Sequence, residues 1–593
     1  MSVTPRGMSI QELYRLYREE LLLVNRRYQR KLVWTTPEKE RLIDSILAGF
    51  PVPLLLLCER PQVYGSGKLE IVDGLQRTNA IVSFIENQFA HKGRYFPTKE
   101  FTRANQAAAA GFFIPAADSA PKLSERESAG FLDYQLAVTV YPENDDNIIT
   151  EVFGRINAGG RQLSDHEKRQ AGVSTLFGQT VRQLASEVRG DVSSDLLSLT
   201  NMPSISIESG KQNSGYGIRA DETFWCEQGI LLNKQLKESD DEEVLADLVA
   251  SVVLRQPIAA SREFFDALYN TESSQFRQVE ASLTTYGSEK LKKEILAVFS
   301  VLKNTLEDAN KTNERSFFRK TVNPGSGNPV RAAFYAVFMA YFELLIRENR
   351  IPTDPVAIVS SLQGLQKRIT TAAHYSKPED RTRNIGVSKG LIEKFFAAQP
   401  SPVLGHGPAL ELDIENALRR SRIESSRYEC KQGLVRLANP RLFDDALMQR
   451  VIETLCGIAN LGPRSEGFVF LGVADSDKDV ARISQLDGIQ PYEVSGRHIV
   501  GVDREAKALN VSLEHYVRKI TDAIRSSGLT EPLKTHLLGN IEPVVIKGLT
   551  VIRIFVPSQK EVSFVGDEVF IRENSSTIKV VGPRVSALFK LFS

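Results

Sequence analysis

The spacing of apolar residues along the chain predicts three regions of different structure. From about residue 8 to 172 two periods are mixed: "PEKERLIDSILAGF" has helical spacing, whereas "PVPLLLLCE" and "YQLAVTVYP" have the patterns of strands. From about 173 to 400 long helical patterns dominate, as in "DEEVLADLVASVVLRQ" and "PVRAAFYAVFMAYFELLIREN". A second α/β region follows. The pattern therefore predicts a multidomain α/β + α protein.

The boundaries follow from composition and length. Pro and Gly cluster in "FFAAQPSPVLGHGPAL", between two helical patterns, which predicts a linker. Beyond it we expect a helix in "DDALMQRVIETLCGIAN", a strand in "GFVFLGVAD", and hairpins with Gly turns in "PVVIKGLTVIRIFVP" and "FVGDEVFIREN". A chain of 593 residues exceeds a single core. We predict three domains, over residues 1–172, 173–405 and 406–593.

Composition and charge narrow the class of protein. With 42% hydrophobic and 25% charged residues and a formal charge of +1, the chain has no global electrostatic signature, so any nucleic-acid surface must be local. Its four cysteines are widely spaced and form no CxxC pair, which argues against a zinc module or a disulfide scaffold. The sequence shows no secretory signal and no apolar run near the roughly 20 residues of a membrane span. We expect a soluble, cytoplasmic protein.

The stretch "LEIVDGLQRTNAIVSFIENQ", from residue 69 to 88, places charge where a strand becomes a helix. Free N–H groups at a helix start can hold an anion, and Arg77 can add a bidentate contact to a phosphate. Asp73 is useful beside a phosphate if it binds Mg²⁺, orders a water or accepts from a ribose hydroxyl. The alternative is a Gly turn with Asp73 as the helix N-cap and Arg77 on the surface.

Two further stretches accompany this motif. "NRRYQRKLVWTTPEKERL" precedes a helix, and "EVFGRINAGGRQLSDHEKRQAG" offers Ser164 and Glu167 as a capping box. In order, "YQRKLVW", "DGLQR" and "RINAGGRQLSDHE" resemble the N-terminal domain of GmrSD-type restriction proteins, a ParB/sulfiredoxin-like α/β fold. The family usually has Gln where this chain has Leu75. The resemblance covers about the first 175 residues.

That resemblance implies nucleotide binding and hydrolysis, with catalytic roles for Asp73 and Arg77. Arginines suit phosphate charge, an acid suits a metal or water, and amides suit a base or ribose. Trp34 is either a base-stacking residue or part of the core. No GxxxxGK[ST] loop exists in the chain, so the site would not be of the Walker type. The expected nucleotide-binding residues are Tyr28, Gln29, Arg30, Asp73, Gly74, Gln76, Arg77, Arg155 and Asn157.

Near residue 425 a second charged stretch, "ALRRSRIESSRYECKQGLVRL", sets Glu424, Glu429 and Lys431 in an arginine-rich frame. Carboxylates can hold Mg²⁺ or Mn²⁺, while the metal and a lysine stabilise charge that develops on a phosphodiester. The alternative is a solvated charged face. The candidate nucleic-acid-binding residues of this stretch are Arg419, Arg420, Arg422, Arg427, Lys431 and Arg436.

Four ordered motifs, "ESSRYECK", "GIANLG", "GVAD" and "FIRENSST", resemble the Schlafen AlbA-like α+β domain over about residues 420 to 590. "LGPRSEG" replaces the usual Gly-Gly, and Asn574 stands where the family has Gly. The resemblance implies a metal and catalytic set of Glu424, Glu429 and Asp475, assisted by Lys431, with Asp477 as the alternative third acid. It also implies that Lys431 and Arg572 of "FIRENSST" bind nucleic acid through its phosphates. Asp475 alone also fits a turn at a strand end.

The leading hypothesis is an anti-phage defence protein. Its N-terminal domain binds and hydrolyses a nucleoside triphosphate, a helical connector transmits this, and the C-terminal domain cleaves RNA or DNA with Mg²⁺ or Mn²⁺. One alternative is a nucleotide-responsive DNA-binding regulator without nuclease activity. Another makes the N-terminal domain the nuclease and the C-terminal domain its targeting module. The expected partners are a nucleotide and a nucleic acid, with no membrane; a homo-oligomer is left open.

Overall fold

A computed structural model describes most of the chain. It covers residues 5–25, 32–60, 67–109, 112–141, 165–170, 175–190, 196–202, 204–206, 217–371, 377–398, 414–415, 417–418, 426–463, 465–474, 476–494, 496–573 and 576–592. Within these ranges, no helix combines the length and the apolar character needed to cross a membrane. The chain divides into two compact units, Met1–Val403 and Leu404–Ser593.

The first part of unit 1 is a six-stranded sheet with helices packed on it. The strands are Pro5–Ser9 (β1), Leu22–Asn25 (β2), Leu55–Glu59 (β3), Leu69–Asp73 (β4), Gln135–Tyr141 (β5) and Leu196–Ser198 (β6). The helices are Ile10–Arg18 (α1), Thr36–Leu47 (α2), Leu75–Ile85 (α3), Thr102–Ala109 (α4) and Glu125–Asp133 (α5).

Strand order in this sheet is β1-β5-β3-β4-β2-β6. β2 runs parallel to β4 and β3 parallel to β5, while β3 and β4 are antiparallel. Apolar residues of β2 to β5 and of α1 to α3 form one continuous core. Helices α2 and α3 lie where the apolar spacing predicts them. β6 shows that this sheet includes a strand beyond residue 172.

The remainder of unit 1 is mainly helical. Its helices are Asp165–Gln170 (α6), Leu176–Arg189 (α7), Phe224–Glu227 (α8), Asn233–Lys237 (α9), Asp240–Val253 (α10), Arg262–Tyr269 (α11), Ser274–Tyr286 (α12), Ser288–Ala309 (α13), Phe317–Val322 (α14), Arg331–Phe342 (α15), Pro355–Ser361 (α16) and Pro378–Ile392 (α17). Short strands pair as Ser204–Ser206 (β7) with Gly217–Arg219 (β8) and Arg350–Pro352 (β9) with Phe396–Ala398 (β10).

Aromatic residues fill the centre of this helical part. The ring of Trp225 lies 5.4 Å from those of Phe299 and Phe334, and Phe299 lies 4.7 Å from Phe338. All four side chains are buried. The edge-to-face arrangement of Trp225 adds about 1 kcal/mol per pair to the free energy gained by burial. Helices α8, α13 and α15 therefore share a packed core.

Unit 2 contains a second α/β arrangement. Its strands are Tyr428–Lys431 (β11), Gly467–Leu471 (β12), Val473–Ala474 (β13), Tyr492–Val494 (β14), Arg497–Ile499 (β15), Ile541–Ile546 (β16), Leu549–Val556 (β17), Val569–Glu573 (β18) and Ser576–Val580 (β19). Its helices are Asp445–Ala459 (α18), Asp477–Asp487 (α19), Asp503–Ala508 (α20), Leu513–Ser526 (α21), Leu533–Leu538 (α22) and Pro583–Phe592 (α23).

The main sheet of unit 2 has the order β11-β12-β17-β16, and α18 and α21 bury one face of it. The predicted helix α18 and hairpin β16–β17 are confirmed. The predicted strand "GFVFLGVAD" is interrupted at Gly472, whose φ of +99° ends β12 and starts the separate pairing of β13 with β15. The hairpin predicted in "FVGDEVFIREN" is wrong: its Gly566 turn carries only the Val565–Glu568 bridge, and the ladder joins β18 to β19.

Candidate functional site

The first candidate site lies where β4 ends and α3 begins. β2 and β4 are parallel neighbours, with Leu22 opposite Leu69, so their carboxyl ends meet at one edge of the sheet. β4 ends at Asp73, and β2 ends at Asn25, three residues before Tyr28. The topology thus directs the first and second motifs to the same edge. Such edges at strand ends are common ligand sites in α/β sheets.

Gly74 makes the turn between β4 and α3. Its φ is +100°, in the left-handed region that favours glycine. A Cβ at this position would lie 2.2 Å from Leu55 Cδ2, and Leu55 is buried in the core. Any side chain here would therefore be strained and would also collide with β3. The glycine of the "DGLQR" motif is required by the backbone.

Asp73 and Arg77 contact each other in this turn. Arg77 Nη2 donates to Asp73 Oδ2 at 2.7 Å, and Asp73 Oδ1 accepts the Gly74 N–H at 2.7 Å. Arg77 Nη1 donates to the carbonyl oxygens of Pro53 and Leu54, at 2.5 and 2.9 Å. The pair is partly exposed, 29% for Asp73 and 13% for Arg77. Three of the five guanidinium N–H groups are thus bound to protein oxygens, and two remain with which a phosphate could bond.

Gln76 binds the last two residues of the first motif. Its Oε1 accepts the N–H groups of Val33 and Trp34, at 3.0 and 3.2 Å, although 43 and 42 residues separate them in sequence. The Gln76 side chain is buried. Trp34 is partly buried and packs against the core. A nucleotide contact for Gln76 stays a prediction, but its carbonyl oxygen already holds the "YQRKLVW" segment beside the "DGLQR" turn.

The other N-terminal predictions lie largely outside the described residues. Tyr28, Gln29, Arg30, Arg155 and Asn157 are outside, as are Ser164 and the side chain of Glu167.

Helix α6, which contains the last three residues of the third motif, is described and is held by ion pairs. Arg169 bonds Glu243 and Asp266, both at 2.6 Å, and Arg262 bonds Asp165 at 3.0 Å. Burial raises the pKa of Glu243, and Arg169 opposes that rise.

In unit 2, strand β11 presents Glu429 and Lys431 on one face. Lys431 Nζ donates to Glu429 Oε1, and Arg572 Nη2 lies 2.8 Å from Glu429 Oε2. Arg572 also donates to Thr577 Oγ1 at 3.0 Å, and Thr577 bonds Thr454 at 2.9 Å. The Arg572 side chain is 1% exposed. Glu429 is therefore neutralised by two cations from β11 and β18.

These contacts bear on the predicted metal set. Within the described residues, no group of three or more His, Cys, Asp or Glu could hold a metal ion. Glu424 and Asp475 lie outside those residues; Asp477 is the first residue of α19. A divalent cation at Glu429 would have to compete with Lys431 and Arg572. The described residues do not fit a metal ion as they stand.

Some of the residues predicted to contact nucleic acid lie within the described part of the chain, and others lie outside it. Arg419, Arg420 and Arg422 lie outside the described residues. Arg427 is exposed at the start of β11, and Arg436 is exposed with Asp444 at 3.3 Å. Arg572 is buried, so it could contact a phosphate only if the residues that bury it moved. Of the predicted arginines that the structure describes, Arg427 and Arg436 are therefore the ones exposed to a phosphate backbone.

Sequence reasoning missed three residues that shape these sites. Lys237 donates to the Val33 carbonyl oxygen at 3.2 Å across 204 positions of the chain. Thr454 and Thr577 support Arg572 from α18 and β19. Thr577 is the last residue of the "FIRENSST" motif, but the motif alone assigns it no partner. Lys237 and Thr454 lie in no motif, and each acts through a partner that is remote in sequence.

Residues 10–174, which carry all three N-terminal motifs, match the family model of the GmrSD restriction endonuclease, N-terminal domain. Neither a curated protein nor a solved structure matches the chain. The matched family is one of restriction endonucleases, which indicates restriction-type defence, a nuclease-type enzyme and a nucleic-acid partner. Residues 10–174 are therefore similar to a GmrSD-type restriction domain, and we call them the restriction-type domain.

Proposed function

We propose that the chain is a defence protein in which the restriction-type domain binds and hydrolyses a nucleoside triphosphate and thereby controls unit 2. Unit 2, by its Schlafen AlbA-like motifs, binds and cleaves RNA or DNA. The carrying observation is the β4–α3 turn: a glycine that admits no side chain, an acid and an arginine at the sheet edge to which β2 leads. At this edge, N–H groups that can donate hydrogen bonds to a phosphate lie beside a carboxylate that can order a water.

The Asp73–Arg77 pair gives this proposal a chemical form. An incoming phosphate would take the two remaining N–H groups of Arg77. Asp73 Oδ2 would keep its bond to Arg77 Nη2, and the carboxylate has further lone pairs for a ribose hydroxyl or a water. Arg77 keeps its place meanwhile, because the Pro53 and Leu54 carbonyl oxygens hold Nη1.

A second candidate function is nucleic-acid binding without cleavage by unit 2. It is favoured by Glu429, which Lys431 and Arg572 bind from two sides. A carboxylate in this position organises cations for a phosphate backbone instead of holding a metal. The protein would then be a nucleotide-responsive regulator.

One panel of assays separates these functions. Wild type, Arg77→Ala and Glu424→Gln are tested for hydrolysis of four nucleoside triphosphates and for cleavage of tRNA, single-stranded and duplex substrates, with Mg²⁺, Mn²⁺ or EDTA. The proposal expects Arg77→Ala to lose nucleotide turnover and Glu424→Gln to lose metal-dependent cleavage while binding persists. Arg525→Ala, which removes an exposed arginine of α21, is the matched control and keeps both activities.

Other outcomes are equally informative. Binding without cleavage under every metal condition supports the regulator. Loss of cleavage in Arg77→Ala with full cleavage in Glu424→Gln makes the restriction-type domain the nuclease. No turnover of any nucleotide by the wild type contradicts the nucleotide-hydrolysing role.

A further inference from the structure

Val33 is held from two sides. Its N–H donates to Gln76 of α3, and its carbonyl oxygen accepts from Lys237 of α9. Val33 follows Arg30, the last residue of the predicted "YQR" contacts, by three positions. A residue whose two peptide groups are both bound by remote side chains has little freedom. Lys237 therefore limits where Val33 and Trp34, the described end of the first motif, can lie.

The third motif is anchored on neighbouring helices. Arg169 of α6 joins Glu243 of α10 to Asp266 of α11, with both distances at 2.6 Å. Arg169 is buried, and its two acidic partners satisfy Nε and Nη1 separately. This bridging geometry fixes α6 more firmly than one exposed ion pair would. The helix that continues from the third motif thus rests on α10 and α11.

Helices α9 and α10 belong to one packed element. Only two residues separate Lys237 from Asp240, where α10 begins. Nearly every residue of α10 is buried, and its first turn is bonded by Arg189 and Arg331. Further along α10, Arg381 bonds Asp247 at 2.5 Å. The base that holds both motif segments is therefore rigid.

We infer that α9 and α10 complete the nucleotide site of the restriction-type domain, with Lys237 as a positioning residue for Val33 and Trp34 and Arg169 as one for α6. This inference rests on the nucleotide function proposed above. The helical part is then a component of the site and not only a connector. Displacement of α9 and α10 would change the positions of Val33 and α6 together.

The test compares Lys237→Met with Lys237→Arg and with Lys234→Met. Lys237→Met keeps the apolar stem and removes the donor, and Lys237→Arg restores a cationic donor. Lys234 is the matched control because it lies on the same helix and is 84% exposed. Steady-state nucleotide hydrolysis supplies KM and kcat, and thermal melting reports folding.

A second readout does not depend on nucleotide. The chain has two tryptophans, so 5-fluorotryptophan labelling gives two ¹⁹F resonances, which Trp34→Phe assigns. Trp34 follows Val33 and is bonded by Gln76, whereas Trp225 is buried in the aromatic cluster and serves as the internal reference. Lys237→Met is expected to shift or broaden the Trp34 signal alone.

The expected kinetic result is a rise of about tenfold in KM for Lys237→Met, with kcat within about twofold, rescue in Lys237→Arg and no change in Lys234→Met. General destabilisation would instead lower apparent kcat and melting temperature with KM unchanged. An unchanged KM overturns the inference, whether or not the Trp34 signal moves. If the wild type binds and turns over no nucleotide, the proposed function itself fails, and the Trp34 signal then shows only whether Lys237 fixes Val33.

Discussion

At the scale of single residues, the "DGLQR" motif combines a backbone requirement with a charged pair. Asp73 is not the helix N-cap that one interpretation of the sequence predicted: the cap position is Gly74, and Asp73 binds its N–H and Arg77. Arg77 is not a free surface residue either, since its Nη1 binds two carbonyl oxygens. The motif is therefore structural, whatever ligand it also binds.

The steric role of Gly74 gives the first prediction. Gly74→Ala should lower the free energy of unfolding by about 3 kcal/mol, because strain at φ +100° adds to the collision with Leu55. Gly49→Ala is the control: its φ is +74°, but nothing lies within 4 Å of the added Cβ, so we expect about 1 kcal/mol. Urea denaturation measures both. Equal losses would show that the collision with Leu55 is relieved without cost.

A buried acid at the far end of α3 gives a prediction on pH. Burial raises the pKa of Glu86 from 4.5 to about 7, although Arg18 and the Tyr14 hydroxyl contact it. Between these values the unfolded chain has released a proton that the folded chain still holds. Stability should therefore fall as pH rises from about 4.5 to about 7, by about 3 kcal/mol.

Glu86→Gln removes this titration, so its stability should be flatter across the same range. Glu289→Gln, on an exposed side chain, should keep the wild-type profile. Denaturation at closely spaced pH values provides the comparison. Identical slopes in wild type and Glu86→Gln would show that Glu86 does not titrate there.

At the scale of elements, periodicity predicted the long helices and the regular hairpin, because each buries one continuous apolar stripe or face. It failed where one glycine or one turn decides the pairing. Gly472 splits a strand whose apolar pattern is unbroken, and the ladder of β18 runs to β19 and not across Gly566. The clamps formed by Gln76 and Lys237 could not be predicted, since the residues that they hold are tens to hundreds of positions away.

Asn460 joins the end of α18 to the segments that contain Ser563 and Phe570. The "GIANLG" motif singles out this residue but does not show which groups it bonds. This residue of "GIANLG" follows α18, and its Nδ2 donates to the carbonyl oxygens of Ser563 and Phe570, while its Oδ1 accepts the Ser563 N–H, all at 2.8 Å. Asn460→Ala should cost about 3 kcal/mol, because it leaves buried peptide groups unbonded. In Asn540→Ala, which loses one bond to His536 on the surface, the cost should stay below about 1 kcal/mol. Denaturant unfolding tests both; a similar cost for the two variants would contradict the role of Asn460.

At the scale of the whole molecule, we propose nucleotide chemistry in unit 1 and nucleic-acid chemistry in unit 2. If one controls the other, their binding free energies are linked and the linkage is reciprocal. A bound nucleotide should change the affinity for nucleic acid, and saturating nucleic acid should change the affinity for nucleotide by the same factor. Fluorescence anisotropy with labelled ligands tests this on the full chain. Unchanged affinities in both directions would mean that binding in the two units is independent.

The central claim is that the turn at Asp73 and Arg77 belongs to a nucleotide site. The most direct measurement is isothermal titration of ATP, GTP, CTP and UTP into the full-length wild type and into Arg77→Ala, with melting curves to confirm that both are folded. We predict that the wild type binds at least one nucleotide and that Arg77→Ala binds the same nucleotide at least about tenfold more weakly. Absence of binding by the wild type, or equal affinity in the two folded proteins, would contradict it.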